Sequence, residues 1–158
     1  MLSWPGVIEP GRRDGLVSSI DLFPTVLSAA GAKIPDGLPG IDLLPVIRDG
    51  QPLGRDTIFG EGFAHDIPDL DDHEASLLYR WCIQGKWKLL LTYDGTVGRY
   101  EWSHPRAEMR PQLFDLTADP HETTNLASEN PDVVARLAAE IAGWYPVEVR
   151  EVITLWEE

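Results

Sequence analysis

One thirteen-residue run, from Asp115 to Ala127, constrains the fold of this chain more than any other segment. The apolar stretch before it closes at Leu116, which indicates the end of a strand. Asp119 is a good helix N-cap, Pro120 suits the first helical position, and Glu122 stands where a capping box needs its carboxylate. The run therefore predicts a strand end, a well-specified turn and the approach to a helix. Its carboxylates are assigned structural roles rather than catalytic ones.

The acidic composition limits the classes of partner. The 158 residues include 26 acidic and 13 basic side chains, which gives a formal net charge of −13. Nucleic-acid binding needs a basic face and anionic membranes attract basic segments, so we expect neither a nucleic-acid partner nor a membrane partner. The length suits one domain with its own core, and the single cysteine, Cys82, excludes an intrachain disulfide.

The first third of the chain predicts one helix followed by a loop. Residues 16–31 place apolar side chains at helical spacing. Ser18 or Asp21 can cap the start of this helix, and Gly31 fits its C-terminal stop. Residues 32–57 are rich in proline and glycine, which is typical of a loop, and residues 41–47 are a candidate for a short helix within it.

The middle of the chain predicts an antiparallel meander of about four strands, and so an α+β fold. Apolar and polar side chains alternate in the strand candidates, which are residues 57–63, 76–83, 86–93 and 112–116. Gln84-Gly85 is the expected two-residue hairpin turn. A helix opened by Asn130-Pro131 and ended by Tyr145-Pro146 carries an apolar stripe, which we expect to cover one face of the sheet.

Candidate catalytic groups are sparse. The histidines stand in no metalloprotease motif, and no nucleophile elbow or phosphate loop is present. Residues 65–74 form the densest group of possible metal ligands, and calcium could use its aspartates, Asp66, Asp69, Asp71 and Asp72. A solvated acidic loop is the alternative. Cys82 lies within a predicted strand, where a buried, inert thiol is expected. Residues 99–110, with three arginines, form either an anion-binding loop or an ordinary exposed one.

Five short segments occur in a fixed order along the chain. They are Ser3-Trp4-Pro5-Gly6, the segment from Leu16 to Leu27 with Asp21, Pro24 and Thr25, the turn Pro39-Gly40-Ile41-Asp42-Leu43, the hairpin from Arg80 to Leu91, and the run with Asp115, Asp119, Pro120, Glu122 and Asn125. In this order they resemble the C-terminal portion of the sulfatases, a branch of the alkaline-phosphatase superfamily. The resemblance covers residues 3–145, and the order and spacing of the segments make it specific.

This resemblance implies hydrolysis of sulfate esters by the intact family member. It also implies a formylglycine made from the Cys or Ser of a C/S-x-P-x-R motif, and a calcium ion held by Asp and Asn residues. Cys82 is followed by Ile83-Gln84, so the motif is absent around it, and only three residues precede Trp4. No catalytic residue, metal ligand or cofactor is therefore assigned to this chain.

The resemblance also implies a division of the chain into three parts. Residues 1–56 would be an edge segment of the sulfatase α/β domain, residues 57–145 the antiparallel-sheet-plus-helix subdomain, and residues 146–158 an apolar tail. Glu61 and His65, near the end of the first predicted strand, are candidates for the wall of the substrate cleft.

Three hypotheses follow for the function. The first is a C-terminal fragment of a sulfatase, inactive alone, whose partner is the missing N-terminal region; the position of Met1 within the expected strand favours it. The second is a stand-alone binding or oligomerisation module derived from a sulfatase, which self-associates through apolar surface. The third is an independent enzyme that uses the acidic loop of residues 65–74.

Overall fold

A computed structural model describes residues 2–64, 69–93 and 110–147. These residues form an α+β structure with three α-helices and a four-stranded sheet. In chain order the elements are α1 (Leu22–Ala29), α2 (Leu44–Asp49), β1 (Thr57–Phe63), β2 (Leu77–Gln84), β3 (Trp87–Thr92), β4 (Gln112–Asp115) and α3 (Pro131–Trp144). The chain divides into two compact units, Met1–Ile58 and Phe59–Glu158.

The predicted helix of the first unit forms, but only its second half is α-helical. A 3-10 turn over Ser19–Asp21 leads into α1. Pro24 lies in the first turn of α1, where its missing N–H costs no intrahelical hydrogen bond. Gly31 adopts a positive φ of 67° just after the helix and ends it, as predicted.

The side chains of α1 are distributed opposite to the usual arrangement of a surface helix. Those fully or nearly buried are Pro24 and Thr25. The apolar side chains Leu22, Phe23 and Val26 are 48%, 56% and 63% exposed, and Ile20 in the preceding 3-10 turn is 47% exposed. The helix predicted from the spacing of apolar residues therefore forms. Its apolar face, however, is not covered by any of the residues that the structure describes.

The sheet of the second unit is an antiparallel meander with the order β1-β2-β3-β4. In the register, Gln84 pairs with Trp87, so the two-residue turn is Gly85-Lys86. The predicted turn, Gln84-Gly85, was therefore wrong by one residue, because alternation locates a hairpin better than it locates the last paired residue. Cys82 pairs with Leu89 and Leu89 with Leu113, which aligns these three side chains in one row across the sheet.

The helix α3 covers this row. Leu137 and Ile141 are fully buried and form one cluster with Cys82, Leu89 and Leu113, each of which has no exposed surface. Burial of each aliphatic side chain contributes roughly 1.5–3 kcal/mol to stability. The outer side of α3 is charged and exposed, with Asp132, Arg136 and Glu140. The helix begins at Pro131 and ends before Tyr145, as its sequence predicts.

Candidate functional site

The buried carboxylate of Asp21 organises the first unit. Its side chain has no exposed surface and accepts hydrogen bonds from the backbone N–H groups of Ser18 (2.8 Å) and Ile41 (2.9 Å). Arg55 completes the set, donating from Nη1 at 3.0 Å and from Nη2 at 2.5 Å. The second of these nitrogens also donates to the carbonyl oxygen of Leu16 at 2.9 Å. One carboxylate thus ties together three stretches of chain that are distant in sequence.

The environment of Asp21 favours its charged form. Burial alone would raise the pKa of this carboxyl, but the ion pair with Arg55 and the two backbone N–H donors outweigh burial and hold the pKa below its ordinary value. A carboxyl that stays ionised and fully paired is a structural anchor. It has no free lone pair directed at solvent for proton transfer or metal binding.

Thr25 and Gly40 extend this network. The hydroxyl of Thr25 donates to the carbonyl oxygen of Asp21 at 2.6 Å and accepts from the N–H of Leu43 at 2.9 Å. A Cβ atom on Gly40 would lie 2.2 Å from the carbonyl oxygen of Ile20, so only glycine permits this approach. The motif residues Asp21 and Thr25 therefore meet the turn after Pro39 at one site, and Pro24 lies buried in the first turn of α1.

Arg55 is the residue of this site that sequence reasoning missed. It lies 34 positions from Asp21, beyond the reach of any local pattern. One signal was available, since Arg55 is the single lysine or arginine between Arg48 and Arg80, two residues before β1.

The run from Asp115 to Ala127 forms a second hydrogen-bonded site, in the second unit. Asp115 ends β4 and accepts from the N–H groups of Thr117 (3.0 Å) and Ala118 (3.3 Å), while its other oxygen pairs with Lys86 at 2.6 Å. Asp119 accepts from the N–H groups of Thr123 (2.7 Å) and Thr124 (2.8 Å). Lys86 lowers the pKa of Asp115 most, and the N–H of Thr124 lowers that of Asp119 most.

The turn predicted at Asp119 forms, but the capping box predicted within it does not. Residues 119–130 form turns, and Pro120 is exposed in one of them. Glu122 takes a positive φ of 56°, which no helix accommodates, and its carboxylate pairs with Lys88 of β3 at 2.7 Å rather than with the N–H of Asp119. Both carboxylates of the predicted box have other partners: Asp119 accepts from the N–H groups of Thr123 and Thr124, and Glu122 pairs with Lys88.

Asn125 closes the outer edge of β4. Its Oδ1 accepts from the N–H groups of Leu113 and Ala127, each at 3.0 Å, and its Nδ2 donates to the carbonyl oxygen of Pro111 at 3.1 Å. The N–H of Leu126 donates to the carbonyl oxygen of Leu113 at 2.8 Å. These bonds satisfy the groups that an edge strand would otherwise present for pairing with another chain.

The cleft-wall candidates are only partly described. Glu61 lies exposed in β1, and His65 falls outside the described residues. Burial raises the pKa of Tyr145 most, followed by the charges of Glu74 and then Glu61, so Glu61 lies near the end of α3. There Arg80 donates from Nη1 to the carbonyl oxygen of Tyr145. Of the loop of residues 99–110 only Arg110 is described.

Cys82 does not fit a formylglycine precursor. It is fully buried in the core cluster, and burial raises the pKa of its thiol to about 11. A modifying enzyme or a sulfate ester would have to displace α3 to reach it. Within residues 2–64, 69–93 and 110–147, no three side chains of the metal-binding types cluster closely enough to hold an ion. The aspartates of the acidic loop that the structure describes are among these residues.

An open groove of about 870 Å³ lies within the first unit. Its lining includes Trp4, Val17, Leu43, Val46 and Leu53, and its charged lining residues are Glu9, Arg12 and Arg13. Among these lining residues, all of which the structure describes, Glu9 is the one carboxylate. No helix within the described ranges is both long and apolar enough to cross a membrane.

Comparison with known proteins gives these networks a family context. The family described as "N-sulphoglucosamine sulphohydrolase, C-terminal" matches residues 1–144. Rat arylsulfatase K (Rattus norvegicus) is 30% identical over 145 residues, which are 89% of this chain and 23% of that protein. Bovine arylsulfatase A (Bos taurus) is 35% identical over 132 residues, or 78% of this chain and 24% of that protein. The chain belongs to the sulfatase family.

Solved structures agree with this assignment. A putative sulfatase from Bacteroides fragilis superposes with a TM-score of 0.63 at 25% identity, over 90% of this chain and 28% of that one. A phosphonate monoester hydrolase from Agrobacterium radiobacter gives 0.59 at 25% identity, over 83% and 25%. The chain corresponds to the C-terminal portion of a sulfatase and spans about a quarter of the length of the curated relatives it matches.

Proposed function

We propose that this chain serves as the fold-supporting C-terminal region of a sulfuric ester hydrolase and is catalytically inactive alone. The strongest support is that the charged motif residues described by the structure form hydrogen bonds and ion pairs within the fold. The carboxylate of Asp21 is fully paired, and the carboxylates of Asp115 and Asp119 bind turn N–H groups. Groups already committed to such bonds hold a scaffold in place and do not turn over a sulfate ester.

The remaining chemistry would come from the rest of a sulfatase polypeptide. The formylglycine and the calcium ion implied by the family would lie in that region, because the one cysteine here is buried under α3. The contribution of this chain would be to complete the substrate cleft. Glu61 is the described candidate for that role, since its side chain is exposed in β1.

Hydrolysis assays test this proposal. The purified chain is incubated with an aryl sulfate ester and, in parallel, with an aryl phosphonate monoester, because a phosphonate monoester hydrolase shares the fold. We expect no calcium-dependent turnover of either ester by the chain alone. Turnover of either would show that the chain carries its own catalytic groups and would overturn the proposal.

A longer polypeptide gives the positive counterpart. When this chain is preceded by the upstream region of a sulfatase, we expect turnover of the sulfate ester. In that protein Glu61→Gln should raise KM and leave kcat close to its starting value, because a cleft wall binds substrate without touching the reacting bond. A fall in kcat at unchanged KM would instead give Glu61 a catalytic role.

A second candidate is a stand-alone module that binds another protein or itself. The half-exposed apolar side chains of α1 favour it, because soluble monomers seldom leave a contiguous apolar face uncovered. The two candidates differ in one measurable respect: a stand-alone module would bind its partner without any upstream region, whereas a sulfatase fragment would have no function alone.

A further inference from the structure

The strand β1 carries a glycine on either side of Glu61. Glycine weakens a strand interior and often marks a place where another group approaches the backbone closely. The structure shows such an approach at both glycines. A Cβ atom on Gly60 would lie 2.3 Å from Cζ2 of Trp81. One on Gly62 would lie 2.3 Å from Cζ of Tyr79, so both rings lie directly against the backbone of β1.

The opposite face of β1 is also held by aromatic rings. Side chains alternate along a strand, so Glu61 shares a face with Phe59 and not with its glycine neighbours. On that face Phe59 packs against the core cluster and stacks on Trp144, with ring centroids 5.1 Å apart. The backbone that carries Glu61 is therefore packed from both sides.

The carboxylate of Glu61 itself has no such support. It is exposed, and no hydrogen bond or ion pair joins it to a residue in the described part of the chain. The carboxylates of Asp21 and Asp115, in contrast, are held by an ion pair and by backbone N–H groups. The position of the Glu61 carboxylate thus depends on how firmly its own backbone is held.

We propose that Tyr79 and Trp81 are positioning residues for Glu61 and act through its two glycine neighbours. This inference rests on the proposed function, in which Glu61 forms part of the wall of the substrate cleft. A binding group that is already fixed loses less conformational freedom when the ligand arrives, so it binds more tightly. Any side chain larger than glycine beside Glu61 would displace a ring and lose this support.

A charged pair adds to the support on one of the two rings. Nζ of Lys88 lies over the ring of Trp81, 5.8 Å from its centroid, within the range of a cation–π interaction. The carboxylate of Glu122 holds the same ammonium group at 2.7 Å. Glu122, whose backbone departs from the predicted capping box, thereby helps to hold Trp81 against β1.

Hydrogen exchange of the purified chain, measured by mass spectrometry, tests the contact. Tyr79→Leu removes the ring and should accelerate exchange in residues 57–63 by about threefold or more, with α3 unchanged. Tyr79→Phe keeps the ring and should exchange like the wild type. Gly62→Ala should accelerate exchange from the strand side. The matched control is Gly143→Ala, because a Cβ atom there meets no atom within 4 Å.

Kinetics of the longer polypeptide described above test the positioning role. Tyr79→Leu should raise KM by about threefold or more and leave kcat close to its starting value. In a chain that already carries Glu61→Gln, the same substitution should change KM no further, because a positioning residue acts only through the group that it positions. A general loss of stability would not produce this dependence on Glu61.

Three results would overturn the proposal. They are unchanged exchange in Tyr79→Leu, a Tyr79→Phe variant that behaves like Tyr79→Leu, and KM effects of Tyr79→Leu and Glu61→Gln that multiply. If Glu61→Gln alone leaves KM unchanged, the cleft role of Glu61 in the proposed function fails. The exchange measurements then decide by themselves whether the rings hold β1. Circular dichroism verifies that each variant is folded.

Discussion

The helices α1 and α3 have similar apolar periodicity but opposite burial. In α3 the apolar stripe is buried against the sheet and the charged residues Arg136 and Glu140 face solvent. In α1 a proline, a threonine and the neighbouring Asp21 are buried, while Phe23 and Val26 are exposed. The second unit thus completes its own core. In the first unit Leu43 and Leu44 are buried, but α1 is held by hydrogen bonds and an ion pair while its apolar side chains Phe23 and Val26 stay exposed.

This contrast explains how α1 remains ordered although its apolar face contributes little to stability. Short isolated helices are marginal in water, and α1 has only eight residues. The bonds of Asp21 and Thr25 to Ile41, Leu43 and Arg55 supply the tertiary support that α3 obtains from packing. The comparison therefore predicts different sensitivities of the two helices to similar substitutions.

The largest effect is expected for Leu137→Ala in α3. Leu137 has no exposed surface and contacts the core cluster, so truncation should lower the free energy of unfolding by about 3 kcal/mol or more. Urea unfolding followed by circular dichroism measures the loss. Alkylation of Cys82 is a local control, because its buried thiol, with a pKa of about 11, should react faster once α3 is loosened. An unchanged unfolding midpoint would show that the packing of Leu137 from α3 does not stabilise the core.

Much of the second unit could be predicted because its signals are local. Alternation of side chains located all four strands, and Asn130-Pro131 located the start of α3. Glu122 could not be predicted, since its left-handed backbone and its bond to Lys88 depend on a strand 34 residues earlier.

In the first unit, different features could not be predicted from the sequence. Periodicity identified α1 as a helix with one apolar face, but it could not show whether anything in the chain covers that face. The Asp21–Arg55 pair was hidden for a similar reason, because a 34-residue separation leaves no repeating pattern. Asp21 was singled out as a helix cap and Thr25 by the family resemblance, whereas their partners came from the structure.

The second prediction concerns Asp21→Asn. The amide keeps the shape of the carboxylate but leaves the guanidinium of Arg55, only 15% exposed, without its counter-charge. We expect a loss of about 2–3 kcal/mol in the first unit. Hydrogen exchange measured by mass spectrometry should show faster exchange in residues 16–43 and unchanged exchange in α3. Equal acceleration in both units would contradict the separate support of the two helices.

The third prediction concerns how the stability of the first unit depends on pH. Because the pKa of Asp21 is lowered in the folded chain, its contribution to stability is complete above the unfolded value near 4 and is lost as the pH falls through the folded value. Lowering the pH from about 6 to about 3 should therefore destabilise residues 16–43 of the wild-type chain more than those of Asp21→Asn. An identical acid response in the two proteins would mean that the ion pair does not support α1.

A smaller effect is expected for Asn125→Ala. The substitution removes the acceptor of the Leu113 N–H and exposes the edge of β4, at a cost of about 1–2 kcal/mol. Thermal unfolding gives the stability change. Light scattering during prolonged incubation should show faster aggregation than for Asn130→Ala, whose side chain donates to the carbonyl oxygen of Leu126 and lies away from the edge of β4 in sequence. Equal aggregation of the two variants would mean that Asn125 does not protect the edge of β4 from pairing with another chain.

The smallest effect is expected for Leu22→Ala, the counterpart of Leu137→Ala on the exposed face of α1. Leu22 is 48% exposed, and alanine is the better helix former, so the unfolding free energy of the dilute chain should change by less than about 0.5 kcal/mol. Urea unfolding of the dilute variant, followed by circular dichroism, measures this change. A large loss in dilute solution would mean that α1 holds its own unit together by packing. A loss that grows with concentration would instead assign the exposed face of α1 to an intermolecular contact, and so account for the inverted burial of the two helices.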